Sequence, residues 1–310
     1  MASLQKKLTF FGIIGSCVAL IATLFVLKAS VLLLSRAYQT PPAPAWAADG
    51  AVFDFALAKR GNHLVNNVLG CGQCHGPTLT GQKVIDDPGF GTLHSANLKD
   101  AKRPVASLHR ALRYGVDTDG HALWLMPAAA LAGLSEPDLQ AVIAYLGSLP
   151  SANLSEKVAQ AQRTALGQDK QISARGRIRL ALRLSSLQEV DSALAATPEP
   201  TLQTGARLGA YLAHVARCDS CHRSAATQPP VAPEHSQNPA QMSLYGLTAK
   251  GLQAYARAHT VTDFLEAMAQ TPAHPAAAMP PPVSTWHAYA KMADDEVKAL
   301  WAHYADAGSN

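Results

Sequence analysis

Four of the five cysteines in this 310-residue chain fall in two short runs, Cys71-Gly-Gln-Cys74-His75 and Cys218-Asp-Ser-Cys221-His222. Cys-x-x-Cys-His is the attachment pattern for c-type haem. The spacing has a mechanical reason: on a helical turn, positions i and i+3 share a face, so both thiols reach the two vinyl groups of one porphyrin. The histidine that follows presents its imidazole to the iron. Other uses of paired cysteines fit less well. A thioredoxin-like redox pair needs no adjacent histidine, and its βαβ surroundings are missing from the sequence. A zinc site needs the two pairs to converge or further ligands at short spacing. A disulfide framework does not suit a chain of this length with so few cysteines.

The elements that must position these runs repeat. Gly61-x-x-Leu64 precedes the first run and Gly209-x-x-Leu212 the second. After each run comes an irregular loop, then a predicted helix, at Val105–Tyr114 in the first half and Val261–Ala269 in the second. Met126-Pro127 and Met279-Pro280 follow, and each half closes on an amphipathic helix that starts at Ser135 or Asp294. Ser135 as N-cap, with Pro137 inside the first turn and Asp138 three residues on, is a well-formed helix start. Leu139, Val142, Ile143 and Leu146 follow helical spacing.

This order resembles a class I cytochrome c domain occurring twice. The motifs are specific in the first half: Leu69-Gly-Cys-x-x-Cys-His-Gly, Asn97-Leu98, Ala111-Leu112-Arg113-x-Gly115-Val116-Asp117-x-Asp119-Gly120, and Met126-Pro127. Together they are similar to the cytochrome subunits of membrane-bound periplasmic dehydrogenases. The second half is looser; it lacks the glycine after His222 and carries a Pro-rich insert at 229–239. The resemblance implies an all-α fold and two covalent haem c groups. They would be attached at Cys71, Cys74 and His75 and at Cys218, Cys221 and His222. It also implies Met126 and Met279 as sixth iron ligands, with Met268, Met292, His274 and His287 competing near Met279. A glycine–aromatic helix crossing is expected at Tyr145 and at Trp301 or Tyr304. The Pro88 carbonyl is expected to hold the His75 Nδ1 proton. The remaining histidines, His109 and His214 among them, read as polar surface residues.

Residues 8–27 carry no charge. At 1.5 Å per residue they span about 30 Å, the hydrocarbon thickness of a bilayer. Flanking lysines and arginines do not settle orientation. The haem runs do, because haem c is attached outside the bacterial cytoplasmic membrane. The expected organisation is therefore a transmembrane anchor (1–36), a Pro/Ala-rich spacer (37–50), a first cytochrome domain (51–150), a helical linker (151–200) and a second domain (201–310). Ala45-Trp46-Ala47 lies too far past the apolar stretch for an ordinary signal-peptidase site. Cys17 faintly resembles a lipoprotein cysteine, yet the residues after it stay apolar. Ala, Leu and Pro richness favours helices. The net charge of +4 is spread without an aromatic-basic stripe, so nucleic acid is not an expected partner. In the linker, Arg175, Arg177, Arg179 and Arg183 form either a solvated connector face or a docking face for an acidic partner.

No catalytic acid, base or nucleophile stands out. The expected function is single-electron transfer at the inner membrane, with the haem domains facing the periplasm. The resemblance implies a partner dehydrogenase upstream and the quinone pool, an oxidase or another cytochrome downstream. A dihaem peroxidase is the alternative, and the paired Met-Pro elements argue against an open iron position.

Overall fold

The computed structural model describes residues 2–48, 54–87, 91–99, 104–123, 126–150, 173, 185–196, 204–218, 251–270 and 286–306. It opens with a 33-residue helix, α1 (Ala2–Leu34), whose side chains at Phe11, Ile13, Ile14, Val18, Leu20, Ile21, Leu24 and Phe25 are exposed. Among the described residues no helix is long and apolar enough to cross a membrane; the longest unbroken run of described side chains in α1 is 13–29.

The first half is built from α2 (Phe55–His63), a π turn (Leu64–Val68), a one-turn α3 (Gly72–His75), α4 (Val105–Tyr114), α5 (Ala128–Ala132) and α6 (Glu136–Ser148). Asp54 caps α2 by accepting from the Leu57 N–H, and Ser135 caps α6 by accepting from Asp138. The core comes from one face of each. Leu64, Val65 and Val68 pack with Leu139, Val142 and Ile143, all fully buried.

One feature departs from the all-α expectation. Part of the loop after α3 forms an antiparallel hairpin, β1 (Lys83–Asp87) with β2 (Gly91–His94), pairing Ile85 with Leu93. Val84 and Ile85 favour a strand, but two strands of four or five residues are too short to register as a period.

The spacer is not a free tether. Tyr38 donates its N–H to the Gly120 carbonyl at 2.8 Å and is buried against Val116 and Ala122. Ala47 is also buried, and the Trp46 indole donates to Glu136 at 2.7 Å. Part of the linker docks as well: α7 (Ser185–Ala195) buries Val190 beside Val116, and Ala193 against Ala128 and Ala132. The four linker arginines lie outside the described residues.

The second half contributes α8 (Gly205–Val215), α9 (Gly251–Ala258), α10 (Val261–Ala269), α11 (Trp286–Tyr289) and α12 (Asp294–Asp306). A full capping box at Thr260 and Asp263 starts α10. The first and last helices of each half cross at a glycine. A Cβ on Gly61 would lie 1.8 Å from the Ala141 carbonyl oxygen, and one on Gly209 would lie 1.9 Å from that of Ala299. Glycine is needed because helix backbones touch there. Tyr145 stands over Gly61 as expected, but over Gly209 the partner is His303. Trp301 faces away and donates to the Ala256 carbonyl at 3.1 Å.

The two crossings correspond residue for residue. Gly61, His63 and Leu64 match Gly209, Tyr211 and Leu212, while Asp138 and Ala141 match Glu296 and Ala299, each set at a constant offset. The halves pack so that equivalent positions meet crosswise. His63 Nε2 lies 2.8 Å from Glu296 Oε2, and the Tyr211 hydroxyl donates to Asp138 Oδ2 at 2.7 Å. Arg60 joins the two pairs, with Nε 3.0 Å from Asp138 Oδ1 and Nη1 3.2 Å from Glu296 Oε1. Burial pushes the Tyr211 phenol well above its ordinary range, helped by the Asp138 carboxylate. Burial would also raise the Glu296 carboxyl. The His63 hydrogen bond, the Ala293 N–H and the charges of His63 and Arg60 outweigh it and hold the group below its usual value.

Two predictions follow from the crossings and the seam between the halves. Gly61→Ala forces α2 away from Ala141 and Tyr145 on α6 and should destabilise by at least about 2 kcal/mol in urea unfolding. Because the folded Glu296 carboxyl is depressed, its contribution is present above the unfolded value of about 4.3. It is lost as pH falls through the lower folded value. Glu296→Gln should lower stability at neutral pH and flatten the acid limb of a stability–pH curve.

Candidate haem-attachment site

The first cysteine run sits where the π turn ends. Gly70, at φ 62°, turns the chain out of that helix, and Cys71 begins the next turn, its carbonyl accepting from the His75 N–H at 2.9 Å. Gly76, at φ 79°, ends it. Cys71 and Cys74 are both half-buried and free rather than bonded to each other. Burial pushes the Cys71 thiol up to about 12, and burial also raises Cys74. A thioredoxin-like dithiol redox pair lowers its thiol values instead.

The imidazole of His75 is oriented from far along the chain. Its Nδ1 lies 2.8 Å from the Ala96 carbonyl oxygen, which leaves Nε2 as the nitrogen to meet a metal. The β1–β2 hairpin makes this possible. Ser95 closes the loop on Gln82, donating its N–H to the Gln82 carbonyl at 2.9 Å and accepting from the Gln82 N–H at 2.9 Å. Ala96 then follows directly. The expected role of Pro88 therefore passes to Ala96; Pro88 itself lies outside the described residues. No sequence signal marks a backbone carbonyl, so Ala96 could not be read in advance.

Met126 is half-buried and packs on the core that also receives Cys71, Leu69 and Leu98. Its N–H donates to the Leu123 carbonyl at 3.3 Å, and its carbonyl accepts from Ala128 at 2.8 Å, so Met-Pro is pinned at the entrance to α5. Gln73, between the cysteines, has a buried Nε2 without a hydrogen-bond partner. Two unpaired thiols, an imidazole fixed by its far nitrogen and an unsatisfied amide between them fit a covalently held haem.

On α4, Arg113 is buried at 5 % exposure and donates to the Ala132 and Leu134 carbonyls at 2.6 and 2.7 Å and to Glu136 at 2.9 Å. His109 is not on the surface as expected but 3 % exposed, edge-on to Trp46 and Tyr114. Burial, then the Arg113 charge, lowers its affinity for a proton. His214 is exposed, with its ring over Gly133. Asp117 spends its side chain on the turn, accepting from the Asp119 and His121 N–H groups at 2.9 Å.

Of the second run only Cys218 is described; it is half-buried on the same core. Cys221, His222 and Met279 lie outside the described residues. The competing Met268 and Met292 are buried core side chains, at 8 % and 7 % exposure.

Residues 58–150 match the family model described as Cytochrome c. This segment is a cytochrome c domain, a class that carries covalently bound haem c and serves electron transfer. No curated protein matches the chain.

Ser95→Ala removes the acceptor of the Gln82 N–H. It should cost about 1 kcal/mol of stability, measured by denaturant unfolding.

Proposed function

We propose that this chain is a membrane-anchored periplasmic cytochrome c with two haems, which passes single electrons between a partner redox enzyme and the respiratory chain. The observation that carries the reading is the recurrence of Cys-x-x-Cys-His behind two matched glycine helix crossings. A second cytochrome domain is the economical account of that match. The offset that relates Gly61 to Gly209 also relates His63 to Tyr211, and the offset between the closing helices relates Asp138 to Glu296. Cys218 follows α8 much as Cys71 follows the π turn.

Haem c, when bound, supplies a one-electron ferric/ferrous couple. The protein's part is to hold the ligand set still. Ala96 fixes the His75 ring, the core beneath Cys71 and Met126 resists movement, and Pro127 restrains the backbone beside Met126. Met126, and Met279 in the second half, would complete the two sites. A thioether ligand raises the potential relative to a second imidazole.

The anchor rests on the uncharged stretch at 8–27 and on the row of exposed apolar side chains along α1, a surface that water does not favour. Burial of Ala47 and the tie of Trp46 to Glu136 integrate the spacer with the first half, which supports an N-terminus that stays attached. The Tyr38 N–H, donated to the Gly120 carbonyl, supports an anchor that ends close to the first domain. Candidate partners are a periplasmic or membrane dehydrogenase on one side and an oxidase or another cytochrome on the other.

The test is expression in a host that attaches haem c, followed by membrane fractionation, mass spectrometry and spectroscopy. The expected mass is the uncleaved chain plus two haems, in the membrane fraction. A single haem would refute the dihaem reading, and soluble material the anchor. Met126→Ala should abolish one thioether-to-iron charge-transfer band of the oxidised protein; an unchanged spectrum would assign the ligand elsewhere. Rapid turnover of added peroxide would replace the carrier reading with a peroxidase.

A further inference from the structure

The spacer does more than join α1 to the first half: it forms one wall of a cavity. Ala37 bridges to His121, and the Tyr38 N–H donates to the Gly120 carbonyl at 2.8 Å. A Cβ on Gly120, which sits at φ 86°, would come within 2.7 Å of the Tyr38 carbonyl oxygen, so the spacer lies directly on that turn. Spacer residues 37–43 enclose, with Ala106 and Arg110 of α4 and with Asp119, an open cavity of about 330 Å³. That is the small end of the range for ligand sites, room for a headgroup and not for a large cofactor.

Two opposite charges stand on its wall, and neither is spent on the other. The half-buried Arg110 guanidinium donates from Nη1 to the Thr118 carbonyl at 3.0 Å, while its Nε is buried with no hydrogen-bond partner. Among the described residues neither Arg110 nor Asp119 forms an ion pair. A half-buried cation without a counter-ion carries a desolvation cost that a bound anion offsets.

Position supplies the class of ligand. Exposed apolar side chains run along α1 as far as Leu32, and the helix ends at Leu34. Arg36 lays its guanidinium over the Tyr38 ring, 4.5 Å from the centroid, and Ala37 is already part of the cavity wall. The three residues from Leu34 to Ala37 reach at most about 11 Å. With α1 in a bilayer, the cavity lies at the level of the headgroups just outside the tails.

We propose that this cavity is a headgroup site for a zwitterionic phospholipid bearing a phosphate and a primary amine, with the phosphate on Arg110 and the ammonium on Asp119. The proposal rests on the anchor reading of α1. An anionic headgroup without an amine satisfies Arg110 alone and sets a second negative charge against Asp119, so the two charges together select the zwitterion. A lipid so held fastens the first half to the bilayer surface at a second point, beside the chain itself.

The test titrates the full-length, haem-loaded protein, in a detergent without phosphate or amine, with dihexanoyl phosphatidylethanolamine in a calorimeter. Arg110→Gln should weaken binding at least about tenfold, the loss of a charge-assisted contact. Asp119→Asn should lower affinity for the ethanolamine lipid but not for dihexanoyl phosphatidylglycerol. Equal affinity of the parent for the two lipids overturns the choice of a zwitterion. Inorganic phosphate bound as tightly as the lipid overturns the lipid reading, and unchanged affinity in both variants overturns the site. Should Arg110→Gln fail to accumulate, Asp119→Asn, at an exposed position, decides alone: unchanged selectivity sinks the proposal. Membrane fractionation of the same protein judges the anchor separately. Membrane-bound protein that takes up no lipid refutes this site only, whereas soluble protein refutes the anchor and, with it, the lipid's role.

Discussion

The contact on which the rest of this structure depends is backbone against backbone. At Gly61 and again at Gly209 a helix lies so close to its closing partner that a single methyl group would overlap a carbonyl oxygen. That closeness draws the first turns of α6 and α12 over α2 and α8, and it sets where the acidic residues of those turns can reach. Asp138 and Glu296 then meet not only their own halves but each other's, through Arg60, His63 and Tyr211. A looser crossing would leave those carboxylates in solvent, where an ion pair contributes little.

The seam so formed is polar, and every named member has a partner. Asp138 accepts from Arg60 and from Tyr211, while Glu296 accepts from Arg60, from His63 and from the Ala293 N–H. Such a network specifies one docking geometry, because a shift of register would leave a buried carboxylate unpaired. Electron transfer rewards this kind of rigidity. The same logic runs through the first site, where the hairpin exists in order to bring one carbonyl to one imidazole nitrogen.

The spacing of Cys71, Cys74 and His75 is that of a single helical turn, and the three residues sit on one. The helices at Val105–Tyr114 and Val261–Ala269 were legible through periodicity, and the start of α6 through its Ser135 cap. The hairpin was not, since its strands are shorter than any period they could display. Nor was the burial of His109, which depends on Trp46 and Tyr114 arriving from separate segments.

By itself, then, the sequence determined which thiols and which imidazole share one helical turn and which segments must coil, because both are local properties of a few neighbouring residues. Only the tertiary structure decided which carbonyl orients His75, which residue covers Gly209, and that a spacer of prolines and alanines lies against the domain instead of extending from it. Each of these joins residues far apart in the chain, and no rule of spacing can say which distant partner the packing will choose.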